Sequence, residues 1–124
     1  MQFTRGMMEA MSAAFAVREL IQNESVDFNV DEPYTYDSIN LPDGYTKPSK
    51  EAYDEAFTRY LNIELFKVFR EQRNKKLTES DFMMLSDYPK EDIEEWKVYR
   101  QALRDLPSIT EDPENPNWPT PPNA

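Results

Sequence analysis

The sequence predicts a mainly α-helical protein, with an antiparallel helical hairpin, an N-terminal helix and extended proline-rich arms. Three observations lead to this prediction. The chain has 124 residues with 10 prolines and only 2 glycines, a balance that favours helices joined by stiff connections over a sheet with tight glycine turns. Apolar side chains recur at helical spacing in three separate stretches. The last two stretches are close enough along the chain to pack antiparallel.

Composition shifts divide the chain into four segments. An N-terminal helix is predicted within residues 1–22, and an extended acidic and aromatic connector follows over 23–48. Residues 49–107 are predicted to form the helical hairpin. Residues 108–124 are rich in proline, which favours an extended tail.

The first helix is predicted over residues 7–22, where apolar side chains are spaced by three or four positions. Its methionine and alanine content leaves two interpretations open. Either the apolar stripe packs on the protein's own core, or its adaptable methionines bind another chain. The partner-binding candidates on this helix are Met7, Met8, Met11 and Phe15.

The connector "NESVDFNVDEPYTYDSINLPDGYTKP" has no helical period. Within it "VDFNV" alternates apolar and polar side chains, which predicts one short strand. A loop of this length is unusual inside a small domain. We expect Tyr34 and Tyr36 to anchor it, either as structure of its own across the helices or as an arm that a partner orders.

The second helix is predicted to begin after Ser49, a favourable N-cap residue, and to run to about Leu77. Its far end carries Lys67, Arg70, Arg73, Lys75 and Lys76. Cations at this position interact favourably with the helix dipole. We therefore interpret the basic end as helix stabilisation and not as a nucleic-acid site.

The third helix is predicted over about residues 90–106, with Asp87 as its cap, Pro89 in its first turn and Pro107 as its end. A short turn capped by Ser80 or Asp81 precedes it. In the tail, Trp118 is the only large aromatic residue. Because an exposed indole leaves a large apolar surface wet, Trp118 should either fold back onto the hairpin or insert into another subunit.

Composition excludes several classes of function. The chain has no cysteine and no histidine, so thiol nucleophiles, zinc–thiolate sites and histidine acid–base chemistry are absent. No Gly-rich phosphate loop or other catalytic motif is present. We expect no enzyme activity, cofactor, metal or small-molecule ligand. The net charge of −10 disfavours binding to nucleic acid and to anionic membranes.

Three blocks in the C-terminal half carry a family resemblance: "REQRNKKLTESDF", "WKVYRQALRDLP" and "NWPTPP". Over about residues 66–122 the chain resembles the phage tail assembly chaperone family. The matching positions are Arg70, Arg73, Asn74, Leu77, Ser80, Asp81, Trp96, Tyr99, Arg100, Gln101, Leu103, Arg104, Asp105, Trp118 and Pro119. Phe82 stands where the family usually has tryptophan.

The resemblance implies a protein that binds phage tail or tail-fibre subunits, in the host cytoplasm during assembly. Two hypotheses stay open: a transient chaperone that leaves, or a permanent minor component of the virion tail. The acidic charge leaves a third class, an inhibitor that mimics DNA.

The spacing of the two arginines in the block "WKVYRQALRDLP" predicts a structural role for them. Arg100 and Arg104 are four residues apart and so lie on one helix face. We predict that one of them donates hydrogen bonds to Asp81 or to the unpaired carbonyls at the end of the second helix. Asp105 is predicted to pair with Arg70, Arg73 or a tail amide.

Overall fold

The computed structural model describes residues 4–23, 25–85 and 91–122. In this part of the chain three helices are present: α1 (Arg5–Ile21), α2 (Lys50–Glu79) and α3 (Ile93–Ile109). Two short strands, β1 (Asn29–Val30) and β2 (Ile39–Asn40), pair antiparallel, with Asn29 opposite Asn40. The prediction of a mainly helical protein is confirmed. The chain divides into two compact units, residues 1–64 and 65–124.

Helix α1 is capped at both ends. The hydroxyl of Thr4 accepts a hydrogen bond from the amide of Met7 (3.1 Å), which satisfies one of the free N–H groups of the first turn. At the other end Gln22 adopts a left-handed conformation (φ 52°), and its N–H bonds to the carbonyl of Arg18. The helix therefore begins two residues earlier than the apolar pattern predicts.

The core of the first unit lies where α1, the two-stranded sheet and the beginning of α2 meet. Its fully buried members come from all three of these elements. They are Ala13, Ala16, Val17, Ile39, Tyr53 and Ala56. Ala13 and Ala16 of α1 lie in the same buried cluster as the aromatic side chain of Tyr53 from α2.

The connector forms structure of its own on this core. The strand expected in "VDFNV" is present as β1, and β2 is its partner, which the sequence did not predict. Tyr36 lies in a 3-10 turn and donates its hydroxyl to the carbonyl of Pro48 (2.6 Å). Tyr34 packs against the same core, and its backbone carbonyl accepts a hydrogen bond from the hydroxyl of Tyr53 (2.6 Å). These two hydrogen bonds satisfy backbone carbonyls of the connector, a segment that has little regular secondary structure.

Helix α2 begins as predicted and ends later. The hydroxyl of Ser49 accepts from the amide of Ala52 (3.1 Å), so Ser49 is the N-cap. The helix continues past Leu77 to Glu79 and is followed by a 3-10 turn, Asp81–Met84. The expected side-chain cap of this turn is not made, because the hydroxyl of Ser80 points back to the carbonyls of Lys76 (3.1 Å) and Leu77 (3.0 Å).

Helix α3 differs from the prediction at both ends. It begins at Ile93 with Asp92 as N-cap, while Asp87 and Pro89 lie outside the described residues. Pro107 does not end the helix, which continues to Ile109, so this prediction was wrong. Pro107 lacks the N–H that would bond to the carbonyl of Leu103, and only two helical residues follow it. The hydroxyls of Ser108 and Thr110 then bond to the carbonyls of Asp105 and Leu106 (both 2.7 Å) and support the last turn.

The proline-rich tail returns to the helices instead of extending away as an arm. The ring of Trp118 meets Phe69 of α2 edge to face, with centroids 5.4 Å apart. The ammonium group of Lys76 lies 4.9 Å from the Trp118 ring centroid. Of the two alternatives for Trp118, the structure shows the fold back onto the chain's own helix, because Phe69 offers the indole an aromatic surface.

Candidate functional site

The centre of the second unit is the guanidinium group of Arg100, which reaches from α3 to the end of α2. Its Nη1 donates to the carbonyl oxygen of Leu77 (2.7 Å) and to the hydroxyl of Ser80 (2.6 Å). Its Nη2 donates to Oδ1 of Asp81 (2.7 Å). We call these four residues the arginine cluster. The contact predicted for one of the two arginines is therefore present, and Arg100 makes it.

The position of each member of the arginine cluster follows from helix-end chemistry. The last carbonyls of a helix have no intrahelical partner, and Leu77 lies in the last turn of α2. Arg100 is buried, as is Ser80, whereas Asp81 is exposed. The Nε of Arg100 is buried without a hydrogen-bond partner among the described residues. The guanidinium group of Arg100 is thus held through its two Nη atoms by three oxygen atoms, on Leu77, Ser80 and Asp81.

Other residues of the second motif form the buried face of α3. Tyr99 and Leu103 are buried, and the rings of Trp96 and Tyr99 meet edge to face at 5.6 Å. The indole N–H of Trp96 donates to Oδ2 of Asp92 (3.2 Å). Burial, and after it the charge of Glu79, raises the pKa of Tyr99 above its ordinary 10.0.

Asp105 does not make the predicted contact. Its carboxylate accepts from the side-chain amide of Gln101, one turn earlier on the same helix (3.0 Å). Side chains four residues apart on one helix are neighbours, so this hydrogen bond does not depend on contacts with distant segments. The expectation that Asp105 pairs with Arg70 or Arg73 was therefore wrong.

The other motif arginines lie outside the arginine cluster. Arg104 is exposed and makes no hydrogen bond or ion pair within the described ranges. The guanidinium of Arg70 lies over the ring of Phe66, 5.4 Å from its centroid. Arg73 donates through Nε (3.1 Å) and Nη2 (2.8 Å) to the side-chain oxygen of Asn74.

A mostly apolar groove of about 450 Å³ runs between α3 and the tail. Val98, Tyr99 and Ala102 line it from the helix, and Pro119 and Pro122 line it from the tail. Val98 is 71 % exposed. Pro119 of the family motif thus contributes to this surface, next to Trp118.

The partner-binding candidates of the first unit divide into buried and exposed side chains. Met8 is buried and Met11 is half-buried, so these two pack within the unit. Met7 and Phe15 are exposed, and the Phe15 ring lies 5.6 Å from that of Tyr60. Tyr34 and Tyr36 are half-buried against the core and make the contacts described above.

One interaction of the first unit had no sequence signal. Glu19 on α1 accepts from both Arg59 (2.6 Å) and Tyr60 (2.9 Å) on α2. These two bonds lower the pKa of Glu19 below its ordinary 4.5. The residues are some 40 positions apart, and surface carboxylates and arginines are common. Only the packing of α1 on α2 could identify this group.

The described residues contain no cluster of three or more histidine, cysteine, aspartate or glutamate side chains placed to hold a metal ion. Within the same ranges, no helix has the length and apolar character needed to cross a membrane.

The arginine cluster, the Trp118–Phe69 contact and the groove all lie in the C-terminal half of the chain, where one family model matches. Residues 66–123 match the phage tail assembly chaperone protein family. The resemblance indicated by the sequence motifs is thereby confirmed over this segment. The match to the chaperone family supports a chaperone-like role in tail assembly and favours a non-catalytic protein. No curated protein and no solved structure matches the chain.

Proposed function

We propose that this protein is a non-enzymatic phage protein that binds tail or tail-fibre subunits in the host cytoplasm and assists their assembly as a chaperone. The observation that carries the proposal is the family match of residues 66–123. The arginine cluster supports it, because all four of its residues lie inside the matched segment. In this proposal α2 and α3 form an antiparallel hairpin, and Arg100 holds its closed end.

Exposed apolar side chains in the matched segment support a binding role. Phe82 is 50 % exposed and Ile109 is 74 % exposed. With Val98 and the groove, they offer apolar surface to another protein. The groove that Val98 lines is apolar surface of the kind that is typical of interaction sites on soluble proteins.

Co-expression with each tail protein of the same phage tests the proposal. We expect at least one tail or tail-fibre protein to become more soluble in the presence of this chain and to co-elute with it. Mass spectrometry of purified virions then separates a chaperone from a structural component. A chaperone that leaves after assembly is absent from the virion.

Three other outcomes decide against the proposal in different ways. Recovery of the chain from virions in fixed proportion to tail proteins would support the alternative, a permanent minor component of the tail. If no tail protein changes in solubility or co-elutes, tail binding is wrong. Salt-sensitive binding to a host DNA-binding protein would instead favour an inhibitor that mimics DNA.

A further inference from the structure

The arginines of the chain differ in whether their charge is paired. Arg5, Arg59 and Arg100 each have a carboxylate partner, and Arg18 donates to two backbone carbonyls. Arg70, Arg73 and Arg104 have neither kind of partner within the described residues, and of these Arg70 and Arg73 are neighbours on α2. The chain contains 24 acidic and only 14 basic residues. In such a chain an arginine finds a carboxylate easily, so two neighbouring unpaired guanidinium groups need an explanation.

Arg70 and Arg73 lie on one face of α2 together with Phe66. Positions 66, 70 and 73 are spaced by four and three residues, so their side chains project from the same side of the helix. We call these three residues the basic stripe. Phe66 is half-buried, Arg70 is exposed and Arg73 is half-buried. The surrounding stretch 67–76 carries five cations and a single acidic residue, Glu71.

The contacts made by Arg70 and Arg73 leave part of each guanidinium group without a partner among the described residues. The Arg70 guanidinium lies over the Phe66 ring, an arrangement that leaves the N–H groups at its edge free. Arg73 uses Nε and Nη2 on Asn74, which leaves Nη1 without a partner among the described residues. Planar guanidinium edges held in this way match the two oxygens of a carboxylate.

We propose that the basic stripe binds an acidic segment of a tail or tail-fibre subunit, in which carboxylates stand next to an apolar side chain. This inference rests on the proposed function and names the surface and the partner chemistry for it. The two guanidinium groups take the carboxylates, and the exposed part of Phe66 takes the apolar neighbour. The net charge of −10 repels acidic peptides and phosphate backbones alike at long range, so direct competition between a peptide and an oligonucleotide separates the two.

Helix α2 provides a matched control for the test. Lys75 is exposed and belongs to the same basic stretch, but it lies two positions after Arg73 and so projects from the opposite side of the helix. The variant Lys75→Glu changes the net charge by two units, as Arg70→Glu or Arg73→Glu does alone, whereas the double variant changes it by four. Each single variant is therefore measured beside Lys75→Glu and should weaken peptide binding more than Lys75→Glu does.

The experiment measures binding of a fluorescein-labelled peptide of glutamate and leucine to the full chain by fluorescence anisotropy. We expect the double variant Arg70→Glu/Arg73→Glu to weaken binding at least about tenfold, because two attractions become repulsions. Lys75→Glu should change the affinity by less than about twofold. A glutamate–serine peptide of equal length should bind more weakly than the leucine peptide. Thermal melts within about 3 °C of the wild type would show that the variants are folded.

The same variants are then tested for co-elution with the tail protein found by co-expression. Loss of co-elution in the double variant, but not in Lys75→Glu, supports the basic stripe as the tail-protein surface. Equal loss in both variants, tighter binding of a single-stranded oligonucleotide, or no peptide binding would overturn it. If the double variant still co-elutes with the tail protein, the basic stripe is wrong and the proposed function stands. If no tail protein co-elutes even with the wild type, the proposed function fails independently of the peptide result.

Discussion

Arg100 and Asp81 are joined by a hydrogen bond of 2.7 Å between a buried donor and an exposed acceptor. The Arg100 side chain is 9 % exposed and that of Asp81 is 61 % exposed. Because Arg100 also donates to Leu77 and Ser80, its desolvated charge depends on all three oxygen partners. Asp81 in water loses little when the bond breaks. The two ends of this ion pair should therefore differ in their effect on stability.

Substitution of Arg100 by leucine should lower the free energy of unfolding by about 1–3 kcal/mol, because its hydrogen bonds to Leu77, Ser80 and Asp81 are lost. The carbonyl of Leu77 still accepts from the amide (3.2 Å) and the hydroxyl (3.0 Å) of Ser80. Urea denaturation measures the change. As the matched control, Asp81→Asn should cost less than about 1 kcal/mol, since exposed ion pairs contribute little. Equal losses in the two variants would contradict the assignment of the stabilisation to the buried arginine head.

Arg104→Ala should leave stability almost unchanged. Arg104 is exposed and makes no hydrogen bond in the described ranges, and surface substitutions of this kind usually change stability by less than about 0.5 kcal/mol. Thermal and urea denaturation of the variant test this expectation. A loss comparable with that of Arg100→Leu would mean that both arginines of the motif hold the fold.

Trp118→Ala should destabilise the isolated protein by about 2 kcal/mol. The substitution removes the edge-to-face contact with Phe69 and the contact with Lys76, and the indole is half-buried, so the cost is below that of a fully buried aromatic residue. Trp118→Phe serves as the control, because it keeps an aromatic ring on Phe69. If Trp118→Ala kept wild-type stability but no longer supported assembly, the packing of Trp118 on Phe69 would not stabilise the isolated protein.

The sequence predicts best where a local rule acts alone. The Ser49 cap of α2 and the strand in "VDFNV" depend on neighbouring residues, and both are present. The contact of Arg100 with the end of α2 could also be predicted, because free helix-end carbonyls need donors and the motif supplies an arginine pair. Which arginine makes it depends on burial: Arg100 is buried with Tyr99 and Leu103, while Arg104 is exposed.

Prediction fails where two local rules compete or where distant segments meet. Pro107 should end α3 by its own geometry, yet the hydroxyls of Ser108 and Thr110 support another turn. Asp105 bonds to Gln101 nearby instead of to a distant arginine. The pairing of β2 with β1 and the contact of Glu19 with Arg59 join residues that no local pattern connects.

Tyr53→Phe should lower the free energy of unfolding by about 1 kcal/mol, through loss of the hydrogen bond to Tyr34. Burial, with a smaller effect of Asp54, raises the pKa of Tyr53 from its ordinary 10.0 to about 12. A raised folded-state pKa contributes stability below about pH 10 that is lost as the pH rises toward about 12. Denaturation from neutral to alkaline pH should show a steeper decline for the wild type than for Tyr53→Phe. Identical alkaline declines would show that Tyr53 titrates without this linkage.

Glu19 should give the first unit an acid-sensitive contact. Hydrogen bonds from Arg59 and then Tyr60 lower its pKa below the ordinary 4.5. A lowered folded-state pKa means that the stabilisation is fully present above about pH 4.5 and is lost as the pH falls through the folded-state value. Glu19→Gln should therefore reduce the melting temperature at neutral pH and flatten its dependence on acid pH.

Glu111→Gln provides the control for this experiment, because Glu111 is an exposed carboxylate for which the described residues provide no hydrogen bond or ion pair. Glu111→Gln should show the wild-type dependence of the melting temperature on acid pH. It removes the same unit of charge as Glu19→Gln but breaks no hydrogen bond or ion pair among the described residues. Salt should weaken the Glu19 effect, since both Glu19 and Arg59 are exposed to solvent. If Glu19→Gln kept the full acid sensitivity of the wild type, other carboxylates would be responsible, and the bonds to Arg59 and Tyr60 would not hold α1 on α2 in solution.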